Sequence, residues 1–243
     1  MKSKQVVSVV IKMTMTALLL VVLSGCLYPQ SDSSSTQSVS KEAIRNVQGA
    51  IEQYMDEKSV LPIVNSDTSV DRFEKFRVNF DILKREGYLE MLPRSSYEGG
   101  GNFYYLILNE ETEPVVKAQS VYLTQKIIDI QRKVEEYQSK NSKLPLGDKL
   151  YEGFYAIDYK ALNMKTPELH SLYSGSIVQL MLTEAGSVYI DYASDIYQAK
   201  LANPELTEDA YDDWRYVLIL NSDYVPVKSP KYKLIDGEPI PYE

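Results

Sequence analysis

Residues 40–62, SKEAIRNVQGAIEQYMDEKSVLP, decide the fold, because much of this stretch returns at residues 123–145 as LTQKIIDIQRKVEEYQSKNSKLP. Its apolar side chains follow at helical spacings of three and four, which predicts one buried stripe: Ile44, Val47, Ile51 and Tyr54. Ser40 is a typical N-cap for such a helix, and Leu61-Pro62 indicates that the helix has ended. An amphipathic helix of this kind needs an apolar surface on which to pack.

The second stretch repeats the first in register. The apolar stripe recurs 83 residues later as Ile127, Ile130, Val134 and Tyr137. Gln48, Glu52 and Leu61-Pro62 recur at the same offset as Gln131, Glu135 and Leu144-Pro145. Two more segments echo earlier ones in the same order: residues 157–162 follow 78–83 at an offset of 79, and residues 218–227 follow 106–115 at an offset of 112. The matches predict an internal duplication, and the growing offset predicts an insertion in the second unit at about residues 178–212.

Short elements are predicted between these landmarks. Helices are expected at residues 71–76, 79–86, 194–202 and from 204 towards 214, strands at 103–108, 114–116, 178–182 and 188–192, and an irregular tail from 229. The predicted fold class is α+β with two similar lobes, residues 40–118 and 119–243. Each lobe is expected to be a long helix packed on a small antiparallel sheet.

The N-terminus carries a separate signal. An apolar run at residues 17–23 follows Lys2, Lys4 and Lys12, contains no acid, and is too short to span a bilayer as a permanent helix. This pattern predicts a secretory signal peptide over residues 1–25. Residues 26–39 are rich in Ser and short of apolar groups, so they are predicted to form a disordered tether.

The run ends in Leu23-Ser24-Gly25-Cys26, which resembles the bacterial lipobox. That resemblance implies that the Cys26 thiol carries diacylglycerol, that the signal is cut before it, and that the new N-terminus can be acylated, for example with palmitate. The whole chain is also similar to uncharacterised lipoproteins of Gram-positive spore-forming bacteria. The resemblance implies a lipid-anchored protein on the extracytoplasmic face of the cell membrane, without implying a mechanism.

A second resemblance covers about 75 residues of the first lobe. A helix, a Leu-Pro stop, the pattern Leu83-x-x-x-Gly87-Tyr88-Leu89-x-x-Leu92-Pro93 and a Tyr-rich strand together resemble the soluble part of type IV pilin-related proteins. The resemblance implies a helix-on-sheet lobe. The chain has no prepilin cleavage pattern with Glu at its fifth position and no long apolar helix for subunit packing, so no filament is predicted.

Charge and cysteine content exclude several classes of protein. Removing three Lys with the signal leaves 23 basic against 34 acidic residues, a net charge of about −11, which disfavours nucleic acid and anionic headgroups. Cys26 is the one cysteine, so lipidation leaves no thiol for a disulfide, a thiolate metal site or a nucleophile. We predict no cofactor and no metal.

Tyrosine is frequent, with 20 Tyr against five Phe and one Trp. Half-buried sheet faces account for such an excess, because the ring packs inward and the hydroxyl stays wet. The alternative is an aromatic surface that stacks on sugars. The candidate residues for that binding surface are Tyr104, Tyr105, Tyr189, Tyr192 and Trp214.

The catalytic signals are weak. His170 is the one histidine and has no G-x-S-x-G partner, so a surface or capping role is expected. Residues 208–213 hold four acids at helical spacing without a D-x-D-x-D-G loop, which favours a solvated helix face over bound Ca²⁺. Residues 99–101 match no phosphate-binding loop and are expected to be a flexible approach to a hairpin.

These features predict a non-catalytic, membrane-anchored lipoprotein that binds or assembles with another envelope component, either a protein or a cell-wall glycan. One alternative is an envelope glycan or peptidoglycan hydrolase, because such enzymes need only two carboxylates about 5 to 10 Å apart. A further alternative is a small-solute receptor, although those proteins usually have larger βαβ lobes.

Overall fold

The computed structural model describes residues 39–64 and 66–243. The predicted signal peptide, Cys26 and the tether up to residue 38 lie outside the described residues. Within the described ranges, no helix has the length and apolar character needed to cross a bilayer.

The first helix, α1 (Lys41–Lys58), forms where the apolar stripe predicts it, and all four stripe residues are buried. The Ser40 side chain accepts from the Ala43 N–H, while Ser59 ends the helix in a left-handed conformation at φ 58°. Val39, at the predicted end of the tether, is buried beside Ile44 in the same core, the arrangement of a hydrophobic staple.

A four-stranded antiparallel sheet follows α1, in the order β1-β2-β3-β4. Its strands and the short helices between them are β1 (Ile63–Val64), α2 (Arg72–Lys75), β2 (Arg77–Val78), α3 (Phe80–Arg85), β3 (Phe103–Leu108) and β4 (Val115–Ser120). The predicted helices and strands of this lobe are confirmed, and the two-residue strands β1 and β2 are additional. Ser120 ends β4 and also caps the next helix, so the chain passes directly into the second lobe.

The second lobe repeats the long helix and the four-stranded order, and its described residues form no short helices between the strands. They are α4 (Val121–Asn141), β5 (Leu146–Tyr151), β6 (Phe154–Ile157), β7 (Leu180–Thr183) and β8 (Val188–Ile190), and the strands form a sheet in the order β5-β6-β7-β8. The α+β class with a long helix and a small antiparallel sheet in each lobe is confirmed.

Matching hydrogen bonds relate the two lobes residue by residue. Ile63 pairs with Val78 in the first sheet, as Leu146 pairs with Ile157 in the second. The residue after each pair donates its N–H to the proline that precedes the sheet: Asn79 to the Pro62 carbonyl at 2.7 Å and Asp158 to the Pro145 carbonyl at 2.8 Å. The sequence matches at offsets of 83 and 79 therefore mark equivalent positions.

A glutamine clamp joins helix to sheet in each lobe. In the first lobe, Gln48 Nε2 donates to the Pro114 carbonyl and Gln48 Oε1 accepts from the Val116 N–H, both at 2.8 Å. Gln131 makes the same pair of bonds to the Gly186 carbonyl and the Val188 N–H, at 2.9 and 2.8 Å. Pro114 and Gly186 are therefore equivalent, and β3-β4 correspond to β7-β8.

The third sequence match is wrong. Residues 218–220 belong to the helix α6 (Tyr216–Leu220), so they cannot repeat a strand at residues 106–108. The span predicted as an insertion contains β7 and β8, which belong to the second sheet. The extra chain of the second unit lies after β8 instead. The shared Leu-Ile-Leu run does not mark equivalent elements, because apolar runs suit buried helices and strands equally.

Beyond β8, the chain forms α5 (Ala193–Ala202), α6, and the hairpin β9 (Lys231–Ile235) and β10 (Glu238–Tyr242). The helix predicted from 204 to 214 is absent, since these described residues form turns. The prediction of an irregular tail is also wrong. Asp236 and Gly237 both have positive φ and connect the strands as a two-residue turn, and β10 tolerates its prolines because its outer edge is unpaired.

The strand β3 is buried on both faces and so links the two cores. Phe103, Tyr105 and Ile107 pack with α1, whereas Leu106 and Leu108 pack with α4 and the C-terminal segment. Because successive strand residues point to opposite faces, a continuous apolar run suits a strand in this position. The described part of the chain belongs to one compact unit.

Candidate functional site

A cleft of about 570 Å³ opens beside the C-terminal helices. It lies between α5, α6, the loop at residues 172–174 and the loop at residues 221–224. Its lining is formed by Leu172, Tyr173, Ser174, Asp195, Gln198, Ala199, Ala202, Asn203, Val217, Leu218, Asn221, Ser222, Asp223 and Tyr224. A volume of this size is within the usual range of small-molecule sites, about 300 to 1,000 Å³.

Contacts to the first lobe hold one wall of the cleft. The Ala118 N–H donates to the Asp223 carbonyl at 2.7 Å, and the Val225 N–H returns a bond to the Ala118 carbonyl at 3.0 Å. The Tyr224 hydroxyl accepts from the Val39 N–H, and the Tyr224 ring packs against Phe103. The cleft wall at residues 223–225 is therefore attached to β4 and to the first core.

Asp195 lies in the first turn of α5 and lines the cleft with a side chain that is almost entirely buried, at 4% exposure. Its Oδ1 atom has no hydrogen-bond partner among the described residues. Burial raises the pKa of Asp195, an effect opposed by hydrogen bonds from Ser174 and Ser171 and reinforced by the charge of Asp191. Asp195 is thus a desolvated carboxyl group that the fold leaves incompletely satisfied.

Asp191, four residues earlier, shows the opposite behaviour. Its Oδ1 accepts from the Tyr232 hydroxyl at 2.8 Å and from the Ala193 N–H at 2.9 Å, and its Oδ2 accepts from the Tyr151 hydroxyl at 3.1 Å. Structural carboxylates in proteins are normally satisfied in this way. The difference between the two acids distinguishes Asp195 as a candidate for contact with a ligand.

Tyr173, which lines the cleft, lies next to Tyr192, which is buried. Tyr173 and Tyr192 pack edge to face with their ring centroids 5.7 Å apart. Burial raises the pKa of both phenols well above the ordinary range, so both remain neutral. The Tyr173 hydroxyl donates to the Tyr224 carbonyl at 3.4 Å. These rings give the cleft a rigid apolar base.

The cleft lining carries acids and no cation. Asp195 and Asp223 contribute the carboxylates, and the lining contains no Lys, Arg or His. Lys117 is close to this region, but its Nζ donates to the Ile219 and Ser222 carbonyls at 2.8 and 2.6 Å. Burial lowers the pKa of Lys117, and its ammonium serves to hold the loop after α6.

A second cluster of charges surrounds Arg215, which is 1% exposed. Its Nε donates to both Asp213 carboxyl oxygens at 3.2 and 2.9 Å, and Nη2 donates to Asp213 Oδ2 at 2.8 Å. Nη1 donates to the Ser229 carbonyl at 2.9 Å, and both terminal nitrogens reach Asp71 Oδ2 at 3.3 Å. The guanidinium group also lies over the Phe73 ring, 4.7 Å from its centroid.

This cluster is structural, because its members are bonded to one another. Burial opposes the charge of Arg215, but the hydrogen bonds and charges of Asp213 and Asp71 outweigh it and raise the pKa of Arg215. Nearby, Lys228 Nζ donates to Glu74 Oε2 at 2.8 Å. Two hollows of about 390 and 600 Å³ flank these groups. The cluster attaches α2 of the first lobe to the C-terminal segment.

The structure does not bring the five predicted aromatic residues together on one surface. Tyr105, Tyr192 and Trp214 are fully buried in the cores, and the Trp214 indole N–H donates to the Glu208 carbonyl at 2.9 Å. Tyr104 is half-buried under the Arg77 guanidinium, 3.7 Å from its ring centroid. Tyr189 is half-buried beside the smaller hollow near Arg215. These rings therefore act mainly in packing.

The other sequence candidates also have structural contacts. His170 is exposed, and its Nδ1 lies 2.9 Å from the Gly175 carbonyl, which places the ring at a turn. The acids at 208–213 lie on turns, and Asp213 belongs to the Arg215 cluster. Within residues 39–64 and 66–243, no three His, Cys, Asp or Glu side chains lie close enough to hold a metal ion.

The glycines at 99–101 form an ordered turn, so the prediction of a flexible approach is wrong. The N–H groups of Gly99 and Gly101 both donate to the Ser96 carbonyl, at 3.0 and 2.7 Å. A Cβ at Gly99 or Gly101 would collide with the backbone of Pro93 or Ser95, and Gly100 has φ 87°. Glycine is required here because the backbone folds closely on itself.

The first lobe also has a counterpart among known proteins. Residues 40–120 match the YphF family N-terminal domain. The match begins at the cap of α1 and ends with the last residue of β4, so it coincides with the first helix and its sheet. No curated protein and no solved structure matches the chain. The residues that line the cleft lie after the matched segment in sequence, and contacts to β3 and β4 join them to it.

We expect replacement of Asp195 by Asn to stabilise the protein at neutral pH. The raised pKa means that the folded state holds this proton more tightly than the unfolded chain, so stability falls as pH rises from the unfolded pKa through the folded one. Asn has no charge to desolvate. The difference in unfolding free energy, variant minus parent, should be positive at pH 7 and should shrink towards pH 4 in urea titrations.

Asp212→Asn is the matched control, since Asp212 is exposed and lies outside the cleft. It removes the same charge without relieving any desolvation. A stabilisation by Asp195→Asn that grows with decreasing pH, or that Asp212→Asn reproduces, would contradict this interpretation of the buried carboxyl group.

Proposed function

We propose that the protein is a lipid-anchored module on the extracytoplasmic face of the cell membrane and that it binds another envelope component without catalysing a reaction. The anchor is supported by the lipobox resemblance at Leu23-Ser24-Gly25-Cys26. The binding role is supported by one observation above all, the incompletely bonded carboxyl group of Asp195 in the lining of the cleft. We assign the binding site to this cleft.

The composition of the cleft favours binding over catalysis. Nucleophilic catalysis needs a base within hydrogen-bond reach of the nucleophile, usually a His, and the cleft lining has neither His nor Cys. Ser174 and Ser222 line the cleft, but Ser222 Oγ donates to the Leu218 carbonyl at 2.7 Å. The apolar wall at Leu172, Val217 and Leu218 offers surface that a ligand can cover.

The anchor can be tested in the full-length chain. Expressed in a bacterial host that is fed an alkyne-labelled palmitate, the parent should become labelled and should remain with the membrane fraction after a high-salt wash. Cys26→Ala should lose both properties, because this substitution removes the acceptor thiol and the junction at which the signal is cut. Label or washed-membrane retention that survives Cys26→Ala would argue against a lipid anchor at this residue.

The binding role calls for a separate experiment. Ala202 is exposed at the edge of the cleft, so Ala202→Trp should fill the cleft without disturbing a core. Membranes that carry the full-length protein should retain a defined envelope component, either a wall fragment or a protein, and this variant should lose it. Ser139→Trp, at an exposed position on α4, is the control and should retain it. If both variants retain the component equally, the cleft is not the binding site.

A hydrolase remains the second candidate because Asp195 and Asp223 line the same cleft. A carboxyl group with a raised pKa can act as a general acid, and a second carboxylate can act as nucleophile or base. In this case the purified protein should cleave cell-wall polymer, and Asp195→Asn should abolish the cleavage. Measuring reducing ends released from isolated walls distinguishes this function from binding.

A further inference from the structure

We propose that the cleft receives a primary ammonium group carried on an apolar stem, with the ammonium placed against Asp195. The proposal rests on the proposed function, since it names the chemistry of the ligand that the cleft would bind. It starts from Asp195, a nearly buried residue of the cleft lining whose Oδ1 atom has no hydrogen-bond partner among the described residues.

Charge balance selects a cation. The cleft lining contains two carboxylates, Asp195 and Asp223, and no basic side chain. Lys117, which holds the loop after α6, is occupied by the Ile219 and Ser222 carbonyls. A neutral hydroxyl on a ligand could bond to Asp195 but would leave its charge uncompensated in a desolvated position, whereas an ammonium supplies both a donor and a charge.

The remaining polar groups suit a donor with three hydrogens. An ammonium has three N–H bonds and no acceptor, so it needs further oxygen atoms near the carboxylate. Ser174, Asn221 and Ser222 lie in the lining of the same cleft as Asp195. An ammonium is more compact than a planar guanidinium, which suits a carboxyl group on a residue that is only 4% exposed.

The apolar part of the cleft suits the stem of such a ligand. Leu172, Val217 and Leu218 line it together with the methyl groups of Ala199 and Ala202. A chain of several methylenes would be removed from water against these surfaces, which favours binding. The cleft volume of about 570 Å³ exceeds that of one alkylamine, which leaves room for the backbone of a peptide that carries the amine.

Calorimetric titration of the full-length protein in detergent micelles tests the proposal. The probes are Nα-acetyl-lysine amide, its uncharged counterpart Nα-acetyl-norleucine amide, and cadaverine, which separates a peptide-borne amine from a free diamine. The lysine derivative should bind at least about tenfold more tightly than the norleucine derivative, since a buried charge pair is the difference between them. If cadaverine binds as tightly as the lysine derivative, the ligand is a free amine and not one carried on a peptide.

Variants connect the binding to the cleft. Asp195→Asn should reduce the affinity for the lysine derivative to that of the norleucine derivative, while Asp212→Asn, an exposed acid outside the cleft, should leave it unchanged. Ala202→Trp should block all three probes and provides a second test that does not touch the carboxyl group. Equal affinities for the lysine and norleucine derivatives, or amine binding that survives Asp195→Asn, would overturn the assignment.

Failure here can be distinguished from failure of the proposed function. If the amines do not bind but Ala202→Trp still releases an envelope component from the membranes, the ligand chemistry is wrong and the binding function stands. If Ala202→Trp releases nothing and the amines do not bind, both the ligand chemistry and the binding function of the cleft are wrong. If the amines bind but the membranes retain no envelope component, the amine site in the cleft is supported and the proposed envelope partner is wrong.

Discussion

Replacing Arg215 with methionine should lower the free energy of unfolding by about 3 to 5 kcal/mol, the usual cost of removing one member of a buried ion pair. Asp213 is buried and its carboxyl oxygens face Arg215 at 2.8 to 3.2 Å, so the substitution leaves a desolvated charge without its main partner. The Ser229 carbonyl loses its donor as well. Urea unfolding followed by tryptophan fluorescence measures the effect next to the cluster, at Trp214.

Arg132→Met is the matched control for this prediction. Arg132 also forms an ion pair at 2.8 Å, with Asp129, but the side chains are 64% and 42% exposed. Exposed pairs contribute about 0.2 to 1 kcal/mol, so this substitution should have a small effect. The double variant Arg215→Met, Asp213→Asn should regain part of the loss because the unpaired charge is gone. Equal effects of Arg215→Met and Arg132→Met would contradict a structural role for the cluster.

Removing either glutamine clamp should cost about 1 to 3 kcal/mol, the penalty for leaving buried backbone groups without partners. Gln131→Ala leaves the Val188 N–H and the Gly186 carbonyl unsatisfied where β8 packs under α4. Gln48→Ala does the same to Val116 and Pro114 in the first lobe. The double variant should lose about the sum of the two, because the two sites share no partner.

Gln125→Ala provides the comparison for both clamps. Gln125 lies on α4 like Gln131, but its amide reaches only the exposed Asp129 carboxylate, at 3.1 Å. The gain in helix propensity from alanine is common to all three substitutions, so the difference reports the buried backbone bonds. Chemical unfolding should show Gln125→Ala to be near neutral. A clamp variant as stable as Gln125→Ala would mean that the paired bonds do not hold helix to sheet.

The clamps show why part of the duplication could be predicted. Gln48 and Gln131 stand at the same offset as the apolar stripes, and they do so because each must reach the same two backbone groups. The match at residues 218–220 included no polar residue that joins a helix to a sheet. A repeated hydrophobic run indicates only that the residues are buried. Both α6 and β3 contain buried residues, although one is a helix and the other a strand.

The C-terminal hairpin was missed for a related reason. Pro239 and Pro241 indicated an irregular tail, whereas Asp236-Gly237 is a strong signal for a two-residue turn between strands. The alternation of exposed and buried residues in β9 confirms the strand. Proline breaks a strand that is paired on both sides, and β10 is paired on one side only.

The amino-acid sequence by itself determined the two long helices, their serine caps, the α+β class and the repeated helix-and-sheet plan, because these depend on residue spacing and local hydrogen bonds. Tertiary structure alone decided that β3 is buried on both faces, that Arg215 meets Asp71, and that Asp195 is enclosed with a free oxygen beside a cleft. Burial and long-range pairing depend on which distant segments come together, and no local pattern around Asp191 and Asp195 records that one acid is satisfied and the other is not.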